Sequence, residues 1–256
     1  MMLEKFSLHN KTALVTGASR GLGKAIALGF ADAGADVVVC ARQREALEDV
    51  AREISQRGRK AWVFVVDFSR IDETANFFDA VLKATAGVDI LVNAAGTTFR
   101  QQAVSFPPEE WQRVIHLNLT VPFLLSQHFA QACIETNHPG KIINITSLLS
   151  EAARPTIPAY AASKGGLSAL TKALAVEWAP FKIHVNAIGP GYFETELTQS
   201  LVKDDRFTQW VRQRTPMNRW GAPDDLVGAA VFLASAAADF ITGQTIFVDG
   251  GWLASL

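Results

Sequence analysis

Hydrophobic positions in this chain fall into two alternating kinds of run. Short stretches rich in β-branched residues, mostly continuous in apolar character, are followed by longer stretches in which apolar residues recur at helical spacing. The short runs predict strands over Thr12–Thr16, Asp36–Cys40, Ala61–Val66, Ile90–Asn93, Lys141–Thr146, Ile183–Ala187 and Thr245–Val248. The longer runs predict helices over Gly21–Ala33, Arg44–Arg57, Asp72–Lys83, Trp111–Thr136, Tyr160–Trp178 and Pro223–Ala234. Strands without a polar face must be covered on both sides, and each helix is long enough to serve as a right-handed crossover to the next strand. The pattern predicts a single α/β domain over residues 1–256, a doubly wound sheet of seven parallel strands with helices on both faces.

No internal repeat, low-complexity tract or Pro/Ser-rich linker divides the chain. The one long irregular stretch, residues 189–221, exceeds an ordinary connection and is expected to form a lid over a binding site. Its charged residues, Asp204, Asp205, Arg206, Arg212 and Arg214, read as a solvated face.

Composition narrows the function. A chain that is 49% hydrophobic and 19% charged is neither disordered nor fibrous. No apolar run approaches the roughly 18 residues of a membrane span. The start, MMLEKFSLHNK, lacks the apolar core of a signal peptide, so a cytoplasmic protein without a membrane partner is expected. The net charge of −1 comes without a basic stripe, which argues against a nucleic-acid partner. Cys40 and Cys133 lack redox or metal spacing and read as core filler, and the histidines at 9, 116, 128, 138 and 184 include no i,i+4 pair. No metal site is expected.

The first predicted strand runs into Thr16-Gly17-Ala18-Ser19-Arg20-Gly21-Leu22-Gly23 and then an Ala-rich helix, the strand, glycine turn and helix order of a dinucleotide site in a Rossmann-like domain. Gly17 permits the tight turn, Gly21 lets backbone amides approach a pyrophosphate, Gly23 lets helix and strand pack closely, and the helix N-terminus adds partial positive charge. An NAD-selective site places an acidic residue about twenty residues further on; here that place holds Ala41 and Arg42. Arg42, with Arg20 as a second cation, can pair with a 2′-phosphate, which favours NADP(H) and leaves use of NAD(H) open. Asp67, ending the third strand beside Phe68, either accepts from the adenine amino group or caps the following helix.

Tyr160 and Lys164 in Tyr-Ala-Ala-Ser-Lys share one helix face. An ammonium held beside a phenol favours phenolate, so this tyrosine can exchange a proton with a carbinol oxygen. The spacing alone is common; its company gives it weight. Thr16–Gly23, Asn93-Ala94-Ala95-Gly96, Asn118, Ser147, Tyr160/Lys164 and Pro190-Gly191, in this order, resemble the short-chain dehydrogenase/reductase family over almost the whole chain.

That resemblance implies Tyr160 as acid/base, Ser147 bonded to the substrate oxygen, Lys164 on the nicotinamide ribose, and Asn118 holding a water that links Lys164 to solvent. It implies that Asn93, Ala95 and Gly96 line the cofactor, that Pro190, Gly191, Phe193 and Thr195 hold its nicotinamide end, and that members commonly form homotetramers. Read singly, Asn118 could instead cap or kink its helix, Ser147 end a strand, and Asn93 tie two strands together. Ala94 departs from the second asparagine that the family often carries. The expected chemistry is hydride transfer between NADP(H) and a secondary alcohol or ketone.

For the substrate, Ser147–Glu151 through Arg154, Gly189–Phe193, Arg219-Trp220-Gly221 and Val248–Leu253 are most similar to the sugar-acid branch, which includes gluconate 5-dehydrogenases and 2-deoxy-gluconate 3-dehydrogenases. A sugar acid needs a cation for its carboxylate, and Arg100, then Arg154, are the candidates, with Glu151 for hydroxyls and Trp220, Trp252 and Phe99 as possible walls. The alternatives are a 3-oxoacyl-[acyl carrier protein] reductase or general ketone reductase of the same family and, more remotely, a non-catalytic cofactor-binding regulator. Small residues on the helix Tyr160–Trp178 and the apolar run Gly250–Leu256 read as subunit interfaces.

Overall fold

Successive residues of a strand face opposite sides of its sheet, and in the centre of this one both sides are apolar. In β1 (Thr12–Thr16), Ala13 and Val15 enter one buried cluster and Leu14 the other. The chain continues through α1 (Gly21–Asp32), β2 (Asp36–Ala41), α2 (Arg44–Gln56), β3 (Ala61–Val65), α3 (Asp72–Thr85) and β4 (Ile90–Asn93). Then come α4 (Pro108–Ile115), α5 (Val121–Glu135), β5 (Gly140–Ile145), α6 (Pro158–Trp178) and β6 (Ile183–Pro190). The last elements are α7 (Gln199–Val202), α8 (Asp205–Arg214), α9 (Val227–Ala234) and β7 (Thr245–Val248). This computed structural model describes residues 3–70, 72–85 and 87–255; Met1, Met2, Ile71, Ala86 and Leu256, which the expected domain and terminal run include, lie outside the described residues.

The seven strands form one parallel sheet in the order β3-β2-β1-β4-β5-β6-β7. Ile26 and Phe30 of α1, Leu47, Val50 and Ile54 of α2 and Ala230 and Leu233 of α9 cover one face. Phe77, Phe78 and Val81 of α3, Leu125 and Phe129 of α5 and Leu174 and Trp178 of α6 cover the other. The order reverses between β1 and β4, so the loops leaving these two strands diverge and open a crevice at their carboxyl ends.

Two segments differ from the sequence reading. The stretch 111–136 is not one helix: α4 starts earlier, on Pro108, and a π-helical turn over His116–Thr120 separates it from α5. Pro122 explains the break, because it has no N–H to donate to the Asn118 carbonyl four residues back and its ring crowds that carbonyl. β6 runs on to Pro190 because Ala187 through Pro190 pair with Thr245 through Val248. The stretch 189–221 then carries α7 and α8 and is pinched at its neck, where Gly221 N donates to Tyr192 O at 2.8 Å and Glu194 N to Gly221 O at 2.9 Å.

At the amino end of the sheet Asp89 joins three strands. Its carboxylate accepts from Lys11 Nζ at 2.9 Å, from Thr12 N at 2.8 Å and lies 2.9 Å from His138 Nε2, while its carbonyl accepts from Lys141 N. Burial pushes its carboxyl up, but the bonds from Thr12, His138 and Lys11 outweigh that and hold it below the ordinary 3.8. A depressed carboxylate stabilises the fold above its unfolded pKa and loses that contribution as pH falls through the folded value. We predict that Asp89→Asn lowers stability by about 2 kcal/mol at pH 7, and that the gap to the wild type closes as pH falls below the ordinary carboxylate range, read from urea midpoints across pH.

Candidate active site

The turn after β1 is built by glycines. Gly17 and Gly21 take left-handed φ values of 66° and 55°, and a Cβ on Gly17 would sit 2.9 Å from Ala95 Cα in the loop after β4. A Cβ on Gly23 would meet the Gly17 carbonyl oxygen at 2.4 Å, so helix and turn pack backbone to backbone. Arg20, at the N-cap of α1, makes no side-chain cap bond, which leaves the first-turn amides facing the crevice without a side chain over them. Thr16 fixes the spacing between the two loops: its hydroxyl donates to Val92 O at 3.2 Å and accepts from Ala94 N and Ala95 N at 3.0 Å. This fits the pyrophosphate of a dinucleotide.

Arg20 and Arg42 are exposed on this side, as an anionic ligand requires, and Ser19 and Leu22 sit in the same turn, half-buried. Arg42 also lies near Asp67, whose carboxyl is held low by the Ser69 backbone amide first and, beyond that, by Ser69, Arg42 and Arg70. Asp67 accepts from Ser69 N at 3.0 Å, so it caps its own turn, not α3. Phe68 is buried against the Phe77 ring at 5.3 Å, which directs its side chain into the core, while its carbonyl lies 2.8 Å from His116 Nε2.

Lys164, on α6, is buried, and its Nζ donates to Ile145 O at 2.6 Å and lies 5.8 Å from the Tyr160 ring centroid. Ser147, just beyond β5, is buried, accepts from Leu149 N at 3.1 Å, and lies close enough to Tyr160 for its hydroxyl to favour phenolate. Burial is the larger influence on both titratable groups. It raises the Tyr160 phenol above 10.0, with a smaller upward push from Tyr192, and lowers Lys164 from 10.5 to about 8. In so dry a place a phenolate and an ammonium stabilise one another, and each is costly alone.

Asn118, in the π-helical turn, locks this group together. Its Oδ1 accepts from Thr97 N at 2.8 Å, while Nδ2 donates to Thr97 O at 2.9 Å and to Ser163 Oγ at 3.0 Å. Ser163 in turn donates to Tyr160 O at 2.8 Å. Gly96 lies in the resulting angle, where a Cβ would stand 3.4 Å from Asn118 Oδ1 and 3.8 Å from Lys164 Nζ. Asn93 points elsewhere: its Nδ2 donates to Asn144 Oδ1 at 2.8 Å and Ser126 Oγ at 3.2 Å, tying β4 to β5.

Pro190 pairs with Val248, and Gly191 passes so close to Asp249 that a Cβ would lie 2.7 Å from its Cα. Phe193 is buried against Gly221, whereas Thr195 lies above the glycine turn, 3.5 Å from where a Gly21 Cβ would stand. Arg100 and Arg154 come near enough to repel, since burial first and then Arg154 lower the Arg100 pKa, against the attraction of Tyr192. Among the described residues neither arginine forms an ion pair with a carboxylate; Arg154 instead covers the Phe207 ring at 5.1 Å. Glu151 is exposed and makes no side-chain bond among the described residues.

Trp220 and Trp252 are both buried in an aromatic cluster with Tyr192, Phe207 and Trp210, and Phe99 packs edge-on to Phe106 at 5.7 Å. Thr16, Ser163 and Tyr192 fall inside sequence motifs that give them no role of their own. The signal for Tyr192 was present, because the chain has only two tyrosines and the other is Tyr160. No group of three or more metal-ligating side chains occurs among the described residues.

A family profile described as enoyl-(acyl carrier protein) reductase matches residues 17–253. A 2-dehydro-3-deoxy-D-gluconate 5-dehydrogenase of Pseudoalteromonas atlantica is 45% identical over 253 residues, covering 98% of this chain and 99% of that one. A 5-keto-D-gluconate 5-reductase of Escherichia coli is 41% identical over 255 residues and covers both chains in full, at 100% of each. The crystal structure of a gluconate 5-dehydrogenase from Burkholderia cenocepacia, in complex with NADP and tartrate, superposes with a TM-score of 0.96 at 42% identity, covering 100% of both chains.

A buried lysine with a lowered pKa has a definite stability signature. The folded chain sheds this proton near pH 8, while an unfolded chain keeps it to 10.5, so unfolding takes up a proton between the two and stability rises with pH there. Relative to Lys164→Met, the wild type should gain about 3 kcal/mol across that window, measured by denaturant unfolding of both proteins from pH 7 to 10.5.

Proposed function

We propose that this chain, which belongs to the short-chain dehydrogenase/reductase family, is an NADP(H)-dependent oxidoreductase that interconverts a secondary alcohol and a ketone on a sugar acid of the gluconate type. The observation that carries the reading is the occurrence of two parts at the carboxyl end of the sheet. A dry Tyr160–Ser147–Lys164 group can exchange a proton with a carbinol oxygen, and an arginine pair without a carboxylate partner among the described residues can take a carboxylate. Relatives named for gluconate chemistry and a structural neighbour holding NADP support the substrate and the cofactor.

In this reading the first-turn amides of α1 and the loop 94–96 hold the pyrophosphate, Arg20 and Arg42 hold the 2′-phosphate, and Lys164 holds the nicotinamide ribose. When bound, the nicotinamide accepts or supplies the hydride. Ser147 donates to the carbinol or carbonyl oxygen and fixes its distance from Tyr160. Tyr160 takes the alcohol proton in oxidation and returns it in reduction, and Lys164 stabilises the phenolate between those events. Both Nδ2 hydrogens of Asn118 are engaged, so a water linking it to Lys164 would have to donate to an Asn118 oxygen.

The segment 189–221 acts as the lid, with Thr195 reaching over the glycine turn. Exposed Ala162, Ala169, Ala173 and Val176 along α6 support assembly into a homotetramer through this helix. Two free, buried thiols, Cys40 and Cys133, suit a cytoplasmic setting.

Initial rates with 5-keto-gluconate, gluconate and an acetoacetyl thioester, each with both nicotinamide cofactors, test the assignment. Turnover is expected on the sugar acids and faster with NADP(H), and Arg42→Ala should raise KM for NADP(H) about 10-fold or more while leaving that for NAD(H) unchanged. Turnover confined to the thioester would place the chain with acyl reductases, and no turnover on any of the three would leave the family standing and move the search to other ketones.

A further inference from the structure

The chain's two tyrosines meet at one site, and only Tyr160 has a part in the proton transfer. Tyr192 follows Pro190-Gly191 at the carboxyl end of β6, the strand beside the one that leads into Ser147. Its ring is held from several sides: by Trp252 at 4.9 Å, by Trp220 and Phe207 at 5.7 Å and by Trp210 at 5.8 Å. Phe207 and Trp210 belong to α8 of the irregular segment, Trp220 to its closing neck and Trp252 to the C-terminal run, so three separate stretches fix one side chain. Such a box sets the direction of a phenol to within a narrow cone.

The hydroxyl that this box orients makes no hydrogen bond among the described residues. It lies within electrostatic reach of both Tyr160 and Arg100, and the neighbouring Phe207 ring carries Arg154 on its face. The phenol therefore shares one neighbourhood with the arginine pair and with the reacting tyrosine. An aromatic box carrying a free hydroxyl is an unusual way to build a merely apolar wall, since phenylalanine would pack as well and leave no polar atom to satisfy.

Resting on the sugar-acid reading, we propose that Tyr192 determines substrate specificity by hydrogen-bonding a hydroxyl on the carbons that separate the carboxylate from the reacting carbon. A site that provides this partner loses it with an unsubstituted chain, and so discriminates against keto acids of the same length that lack hydroxyls.

The test compares wild type, Tyr192→Phe and Tyr192→Leu on 5-keto-gluconate and on 5-oxohexanoate, which spans the same length without the hydroxyls. Tyr192→Phe keeps the ring and should lower kcat/KM on 5-keto-gluconate about tenfold, leaving 5-oxohexanoate within about twofold. Tyr192→Leu empties the box and should lower both. Equal loss on the two ketones for Tyr192→Phe, or no loss on either, overturns the hydroxyl contact while the sugar-acid reading stands. Wild-type enzyme that fails to reduce 5-keto-gluconate overturns the sugar-acid reading and the contact with it.

Discussion

Asn118 sits where three pieces of the site would otherwise drift apart. Its side chain clasps both the N–H and the C=O of Thr97, beyond β4, and reaches Ser163 on α6, whose hydroxyl bonds back to the Tyr160 carbonyl. Because Asn118 is fully buried, losing any of these partners would leave a polar atom without water to replace it. The clasp is available only because the helix is interrupted there: a regular turn would carry the side chain along the helix face, and the π-helical turn re-aims it. Pro122, one turn further on, makes that interruption obligatory. A backbone constraint in one helix thus sets the distance between the loop after β4 and the helix carrying Tyr160 and Lys164.

The same dryness that holds the clasp sets the electrostatics. Burial drives Tyr160 up and Lys164 down to about 8, so burial disfavours the charged form of each, and together they provide a pair in which charge on one is worth more because the other is near. At the outer edge the balance is reversed. Arg100 and Arg154 lie near enough to repel, with no carboxylate partner among the described residues, a repulsion that an anionic ligand would relieve. The irregular segment joins the two zones, since its Phe207 lies beneath Arg154 and packs against Tyr192.

Much of this was legible in the sequence, for reasons that differ by element. Strands such as Ile90–Asn93 fall where the apolar runs put them, because a doubly covered parallel strand leaves no polar face to confuse the pattern. The glycine turn was legible because Gly17 and Gly23 stand where any Cβ would collide with backbone. Apolar periodicity could not show the break before α5, since Leu117 and Leu119 continue the run; only Pro122 marked it. Asn93 and Phe68 match positions at the crevice, yet their side chains turn into the sheet and core, a choice made by tertiary partners such as Asn144 and Phe77. Tyr192 was hidden for the opposite reason, as its box is assembled from Phe207, Trp210, Trp220 and Trp252, far apart in the chain.

The most direct test of the account is a crystal structure of the protein with NADP⁺ and gluconate bound together. The carboxylate is expected within hydrogen-bond distance of Arg100 or Arg154, the reacting hydroxyl between Ser147 and Tyr160, and the 2′-phosphate beside Arg42. A carboxylate bound away from both arginines, with the carbinol still at Tyr160, would contradict the claim that proton-transfer group and cation pair form one site for an anionic alcohol.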